Sequence, residues 1–81
     1  MWDLMPPPRE ILNEFKWRED KDFNKVEIWY IHRGAPNDTM ILSGSDILEL
    51  QRSFMKTKTA MIPYHRIFKI MYGDPIVWER R

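Results

Sequence analysis

The stretch Lys25-Val26-Glu27-Ile28-Trp29-Tyr30-Ile31-His32-Arg33, followed by Gly34-Ala35-Pro36-Asn37-Asp38 and Thr39-Met40-Ile41-Leu42, decides the fold. Val, Ile, Trp and Tyr suit a pleated, half-buried surface, so Lys25 to Arg33 reads as a strand. The turn formers at 34–38 end it, and Thr39 to Leu42 returns as a second short strand, giving a hairpin-like pair. Side chains of a strand alternate between its faces. Val26, Ile28 and Tyr30 therefore share the covered face, while Glu27, Trp29, Ile31 and Arg33 share the open one.

Working outward toward the N-terminus, Pro6-Pro7-Pro8 reads as an extended lead-in and a helix start, since a proline in the first helical turn forfeits no hydrogen bond. Ile11, Leu12 and Phe15 then recur at helical spacing, which predicts a helix from Arg9 to about Arg18. Glu19 to Asp22 has no apolar period and marks a loop. Toward the C-terminus, Ser45 is a suitable N-cap, and Ile47, Leu50 and Phe54 fall on one helical face, which predicts a second helix to about Met55. After the Lys56-Thr57-Lys58-Thr59 connection, Met61-Ile62-Pro63 leads into a strand from Tyr64 to Tyr72. Gly73-Asp74-Pro75 then turns the chain into Ile76 to Glu79, a C-terminal β-hairpin. The expected fold is α+β: an antiparallel sheet of about four strands with two helices packed on one face, residues 1–7 forming an extended lead-in and 8–81 a single domain.

A chain of 81 residues buries only about 60% of the surface its unfolded form exposes, so Trp17, Trp29, Phe54, Phe68 and Trp78 are all expected to matter for stability. So small a core leaves little room beneath it for a deep enzyme cleft. The absence of cysteine excludes disulfides, thiolate zinc sites and thiol catalysis, and two histidines alone make a poor metal site. No cofactor is implied. The opening residues Met1 to Met5 carry no apolar signal core, and no run approaches the ~20 apolar residues of a membrane span. A cytoplasmic location without a membrane partner is the expectation.

Net charge is only +1, yet the signs are unevenly distributed. Residues 1–49 hold ten acids against six bases, whereas residues 50–73 hold Arg52, Lys56, Lys58, Arg66 and Lys69 with no acid. This predicts a local basic patch. Two His-Arg dipeptides, His32-Arg33 and His65-Arg66, are the candidate chemistry. Strand alternation puts Arg33, His65 and Lys69 on the open face, with Trp29 beside them as a stacking surface for a base. Arg66 lies near its strand's start, where Pro63 allows it to turn outward, and alternation leaves His32 on the covered side in a structural role. A guanidinium grips two phosphate oxygens at once, lysine adds a point charge, and a phosphate next to histidine favours the charged imidazole, so affinity should rise as pH falls through the histidine range. The bland alternatives are that His65 pins a loop by bonding a carbonyl and that Arg33 pairs with Asp38. Phe15, Phe54, Phe68 and Trp78 suit core positions, and the methionines are gap fillers. Neither a Gly-rich phosphate loop, nor a nucleophile elbow, nor a helix-borne carboxylate pair is present, so the chain reads as a binding protein and not an enzyme.

The strings Ile31-His32-Arg33-Gly34-Ala35-Pro36, Ile62-Pro63-Tyr64-His65-Arg66-Ile67 and Val77-Trp78-Glu79-Arg80, with the early Pro8-Arg9-Glu10-Ile11-Leu12-Asn13, resemble the RNA cyclic-group end recognition domain over nearly the whole chain. That family occurs as short stand-alone archaeal proteins and beside RNA-processing domains in larger ones. The resemblance implies recognition of RNA ends bearing a 2′,3′-cyclic phosphate or related terminal phosphate, in RNA repair or processing. It points to Arg33, His65 and Arg66 as phosphate ligands, with Tyr64 as a supporting neighbour. Lys56, Lys58 and Lys69 would attract the preceding backbone of a single-stranded 3′ end. Two other readings stand beside this one. The two histidines suggest a metal-independent ribonuclease or cyclic phosphodiesterase, against which alternation argues by putting them on opposite faces. The aromatic and Met-rich N-terminal segment suggests a module that docks on RNA-processing proteins.

Overall fold

The computed structural model describes residues 7–80. Helix α1 spans Pro8–Trp17, with Pro7 extended before it and Pro8 at its first position. Leu12 is fully buried, and Phe15 stacks on Tyr72 with ring centroids 5.1 Å apart. This is the first expected helix. Apart from Pro7, the expected lead-in over residues 1–7 lies outside the described residues. Trp17 at the helix end is 77% exposed, so it is not one of the core aromatics it was expected to be.

Strands β1 (Val26–Ile31) and β2 (Thr39–Ser43) pair antiparallel, Glu27 opposite Ser43 and Ile31 opposite Thr39. Two later strands, β6 (Ile67–Tyr72) and β7 (Ile76–Glu79), form the expected C-terminal hairpin, and β6 also pairs with β1. The resulting sheet has the order β2-β1-β6-β7. Val26, Ile28 and Tyr30 are buried, as alternation along β1 requires. Alternation fails in β6, because the register shifts between Trp29 and Tyr30: Trp29 sits opposite Lys69, but Tyr30 sits opposite Ile67. The extra residue, Phe68, lets both Ile67 and Ile70 face the core.

The segment expected to form a second helix does not. Gly44–Asp46 makes one 3₁₀ turn, with the Ser43 hydroxyl accepting from the Ser45 amide, and the chain then runs extended as β3 (Ile47–Leu50). A second three-stranded sheet follows, β3 pairing with β4 (Phe54–Thr57) and β4 with β5 (Met61–Pro63). In place of a connecting loop, Thr57 turns the β4–β5 hairpin: its hydroxyl donates to the Ala60 carbonyl at 2.7 Å and accepts from the Ala60 amide at 3.0 Å. The fold is therefore α+β, with one α-helix and seven strands in two antiparallel sheets among the described residues, not two helices on a single four-stranded sheet.

The strand expected from Tyr64 begins only at Ile67. Tyr64–Arg66 instead form a 3₁₀ turn after Pro63. One core unites the parts: Leu12 from α1; Val26, Ile28, Tyr30, Ile67, Ile70 and Trp78 from the larger sheet; Ile47, Met55 and Ile62 from the smaller; and Tyr64 from the turn between them. Among the described residues no helix is long and apolar enough to cross a membrane.

Candidate functional site

Because β1 and β6 are antiparallel neighbours, the chain leaving β1 lies beside the chain entering β6. The pairing of Tyr30 with Ile67 accordingly brings Ile31-His32-Arg33 and His65-Arg66 to the same end of the larger sheet. All five line one open cleft of about 520 Å³. Neither dipeptide belongs to a strand, so strand alternation governs neither. The expectation that His32 and His65 fall on opposite faces is thus corrected: both histidines line the cleft.

Each dipeptide is held by its backbone. After β1, the His32 amide donates to the Asp38 carbonyl at 2.8 Å and the Ala35 amide to the His32 carbonyl at 3.2 Å. Gly34 takes φ +95°, a conformation that L side chains rarely adopt. The Asp38 carboxylate accepts from the Gly34 amide at 3.3 Å and does not pair with Arg33. The His32 ring sits edge-on to Tyr30, with centroids 6.3 Å apart. On the other wall Arg80 clamps the 3₁₀ turn, its Nε donating to the Ile67 carbonyl at 3.2 Å and an Nη to the Tyr64 carbonyl at 3.4 Å. The Arg80 guanidinium also lies 5.2 Å from the Trp78 ring centroid.

The functional ends of His32, Arg33, His65 and Arg66 are exposed, and among the described residues none of these side chains makes a hydrogen bond or an ion pair. Two guanidinium forks and two imidazoles thus face one recess with their donors unspent. Such a set suits a multiply charged oxyanion.

The supporting residues behave differently from one another. Tyr64 is buried, and its hydroxyl donates to the Gln51 carbonyl at 2.6 Å, so it is a core residue beneath the cleft. Burial holds its phenol above the ordinary tyrosine range, an effect opposed by nearby Arg9. Lys69 lies over Trp29, its Nζ 3.9 Å from the ring centroid, so one face of that indole is already covered. The Trp29 Nε1 is buried and has no hydrogen-bond partner among the described residues. Lys56 sits across the smaller sheet from Glu49, and Lys58 pairs with Asp46 at 3.6 Å. Neither lysine lines the cleft. The acid-free run in the sequence is therefore partly neutralised in space by Glu49 of β3 and Asp46 of the turn before it. Among the described residues no group of three His, Cys, Asp or Glu side chains is placed to hold a metal ion.

Sequence reasoning missed His32, and also Arg9 and Arg52, which line a neighbouring recess with His65. The antiparallel pairing of the strands that follow and precede the two dipeptides was the available signal for His32. For Arg52 the signal was its place in the acid-free run, but its turn was hidden inside the expected second helix.

Fold and cleft together define a small α+β domain that presents a cationic, imidazole-bearing recess at one end of an antiparallel sheet. Residues 5–80 match the family described as the MJ1316 RNA cyclic group end recognition domain, and the chain belongs to that family. Among its relatives, a UPF0248 protein of Archaeoglobus fulgidus is 41% identical over 70 residues, covering 85% of this chain and 99% of the relative. One from Methanococcus maripaludis is 33% identical over 75 residues, covering 90% and 97%. One from Thermococcus onnurineus is 31% identical over 74 residues, covering 90% and 84%. No solved structure matches the chain significantly.

Proposed function

We propose that the cleft between the two His-Arg dipeptides binds the terminal phosphate of a processed RNA 3′ end, a 2′,3′-cyclic phosphate or a related group, without cleaving it. The observation that carries this reading is the convergence of Arg33, Arg66, His32 and His65, with no side-chain hydrogen bond or ion pair among the described residues, on one recess. The family description supports it. Arg33 and Arg66 hold the phosphate oxygens, and the histidines donate hydrogen bonds to them. Lys69 contributes charge at the edge, whereas Lys56 and Lys58 act only at long range. The reading carries with it a cytoplasmic role in RNA repair or processing, on single-stranded ends.

Binding of labelled RNAs ending in cyclic phosphate, 3′-phosphate and 3′-hydroxyl tests it. The phosphorylated ends should bind tighter than the hydroxyl end. Arg33→Ala or Arg66→Ala should each remove about tenfold or more of that affinity, the worth of a charged hydrogen bond. Equal affinity for all three ends would sink end recognition.

A second reading gains from one observation: both histidines line the same cleft, as an acid-base pair in a cyclic phosphodiesterase would. Against it, neither imidazole has a hydrogen-bonding side-chain partner among the described residues to fix its tautomer and aim it, as activated histidines ordinarily have. Incubating cyclic-phosphate RNA with excess protein and analysing its ends decides the matter, since ring opening to a 2′- or 3′-phosphate would establish an enzyme.

A further inference from the structure

His65 is shared between the proposed phosphate cleft and a second recess of about 460 Å³, whose walls include Arg9, Glu10, Arg52 and Ser53. The two recesses therefore adjoin at a single imidazole. Arg9, in the first turn of α1, is anchored by its Nε, which donates to the Gln51 carbonyl at 3.1 Å. Arg52 follows Gln51 in the exposed turn between β3 and β4, and among the described residues its side chain makes no hydrogen bond or ion pair. Tyr64 forms the floor, with its hydroxyl bonded to the same Gln51 carbonyl. One anchored and one uncommitted guanidinium thus flank a recess that adjoins the terminal-phosphate cleft at His65.

Resting on the reading given above, we propose that this second recess holds the phosphodiester that precedes the terminal group, bound between Arg9 and Arg52, so that the ligand is an RNA end of at least two nucleotides. Glu10 on the same wall makes the recess a poor trap for a free anion. Occupancy comes from the tether: once the terminal group is held, the next phosphate arrives at high effective concentration. The RNA backbone accordingly leaves the cleft over the β3–β4 turn and α1.

The test compares a nucleoside 2′,3′-cyclic monophosphate with a dinucleotide ending in the same cyclic phosphate, using the full chain. The dinucleotide should bind about tenfold tighter, the worth of one charged contact. Arg52→Ala, at an exposed turn, should abolish most of that gain while leaving the mononucleotide within about twofold of wild type. Replacing the linking phosphodiester by an uncharged methylphosphonate should abolish the gain in the wild-type protein. A gain that survives both changes would show that the second nucleotide is held elsewhere and would overturn the subsite. A mononucleotide that binds with no dinucleotide gain would also overturn it while leaving end recognition standing. Failure of both ligands to bind would remove end recognition itself, and the subsite with it.

Discussion

Gly44 shows at the scale of one residue how the chain is turned away from a helix. It is buried in the 3₁₀ turn before β3, and a Cβ there would collide with the backbone of Phe23, which cannot move aside as a flexible side chain could. Gly44→Ala should therefore destabilise the protein by about 1–3 kcal/mol, the usual cost of overpacking, with a lower urea midpoint and an unchanged slope. Tyr64 carries a pH signature. Its buried phenol holds its proton more tightly in the folded chain than in the unfolded one. The resulting stability is complete below the unfolded value of about 10 and is lost as pH rises through the higher folded value. Tyr64→Phe should cost about 1 kcal/mol at neutral pH, by removing the hydroxyl's bond to the Gln51 carbonyl, and should flatten the alkaline fall in stability followed by thermal unfolding.

At the scale of elements, the 3₁₀ turn Tyr64–Arg66 matters most, because it carries half of the proposed site and is held by Arg80 from the far edge of the sheet. Arg80→Ala leaves the Ile67 and Tyr64 carbonyls without that donor. It should weaken binding of a phosphate-ended RNA by about threefold to tenfold, although Arg80 is not itself a lining residue. Arg80→Lys, which cannot span both carbonyls, should recover only part of the loss in the same titration. This turn also shows where the sequence was readable. Helix α1, β1, β2 and the C-terminal hairpin follow from local periods and turn residues, and all are present. Ile47, Leu50 and Phe54 misled because their spacing fits a helical face as well as two short strands around a turn. Gly44 beneath Phe23 and the Thr57 hydroxyl closing a hairpin settle that ambiguity, and only the second leaves a local trace in the sequence. The bulge at Phe68 and the turn before β6 are products of tertiary packing, so strand alternation misplaced His32 and treated His65 as a strand residue.

At the scale of the whole molecule, the linear segregation of charge does not survive folding. Residues 50–73 carry five bases and no acid, but Glu49 of β3 lies opposite Lys56, and Asp46 of the 3₁₀ turn before it pairs with Lys58. Arg33 and Arg66 at the end of the larger sheet, and Arg52 in the β3–β4 turn, have no acid paired with them among the described residues. A protein that coats single strands neutralises many phosphates and loses affinity steeply with salt, whereas one that grips an end does not. With the terminal group, the preceding phosphodiester and at most one further phosphate neutralised, the logarithm of affinity should fall with the logarithm of salt at a slope between about −1.4 and −2.1, at roughly 0.7 per phosphate. Lys56→Ala and Lys58→Ala should leave both slope and affinity nearly unchanged, since each lysine already faces an acid. Arg52→Ala should reduce the slope by about 0.7 on RNA of two or more nucleotides. Fluorescence titrations across a salt series distinguish these cases. A steep slope that fell equally with either lysine would mean that the smaller sheet, and not the cleft between the His-Arg dipeptides, carries the nucleic acid.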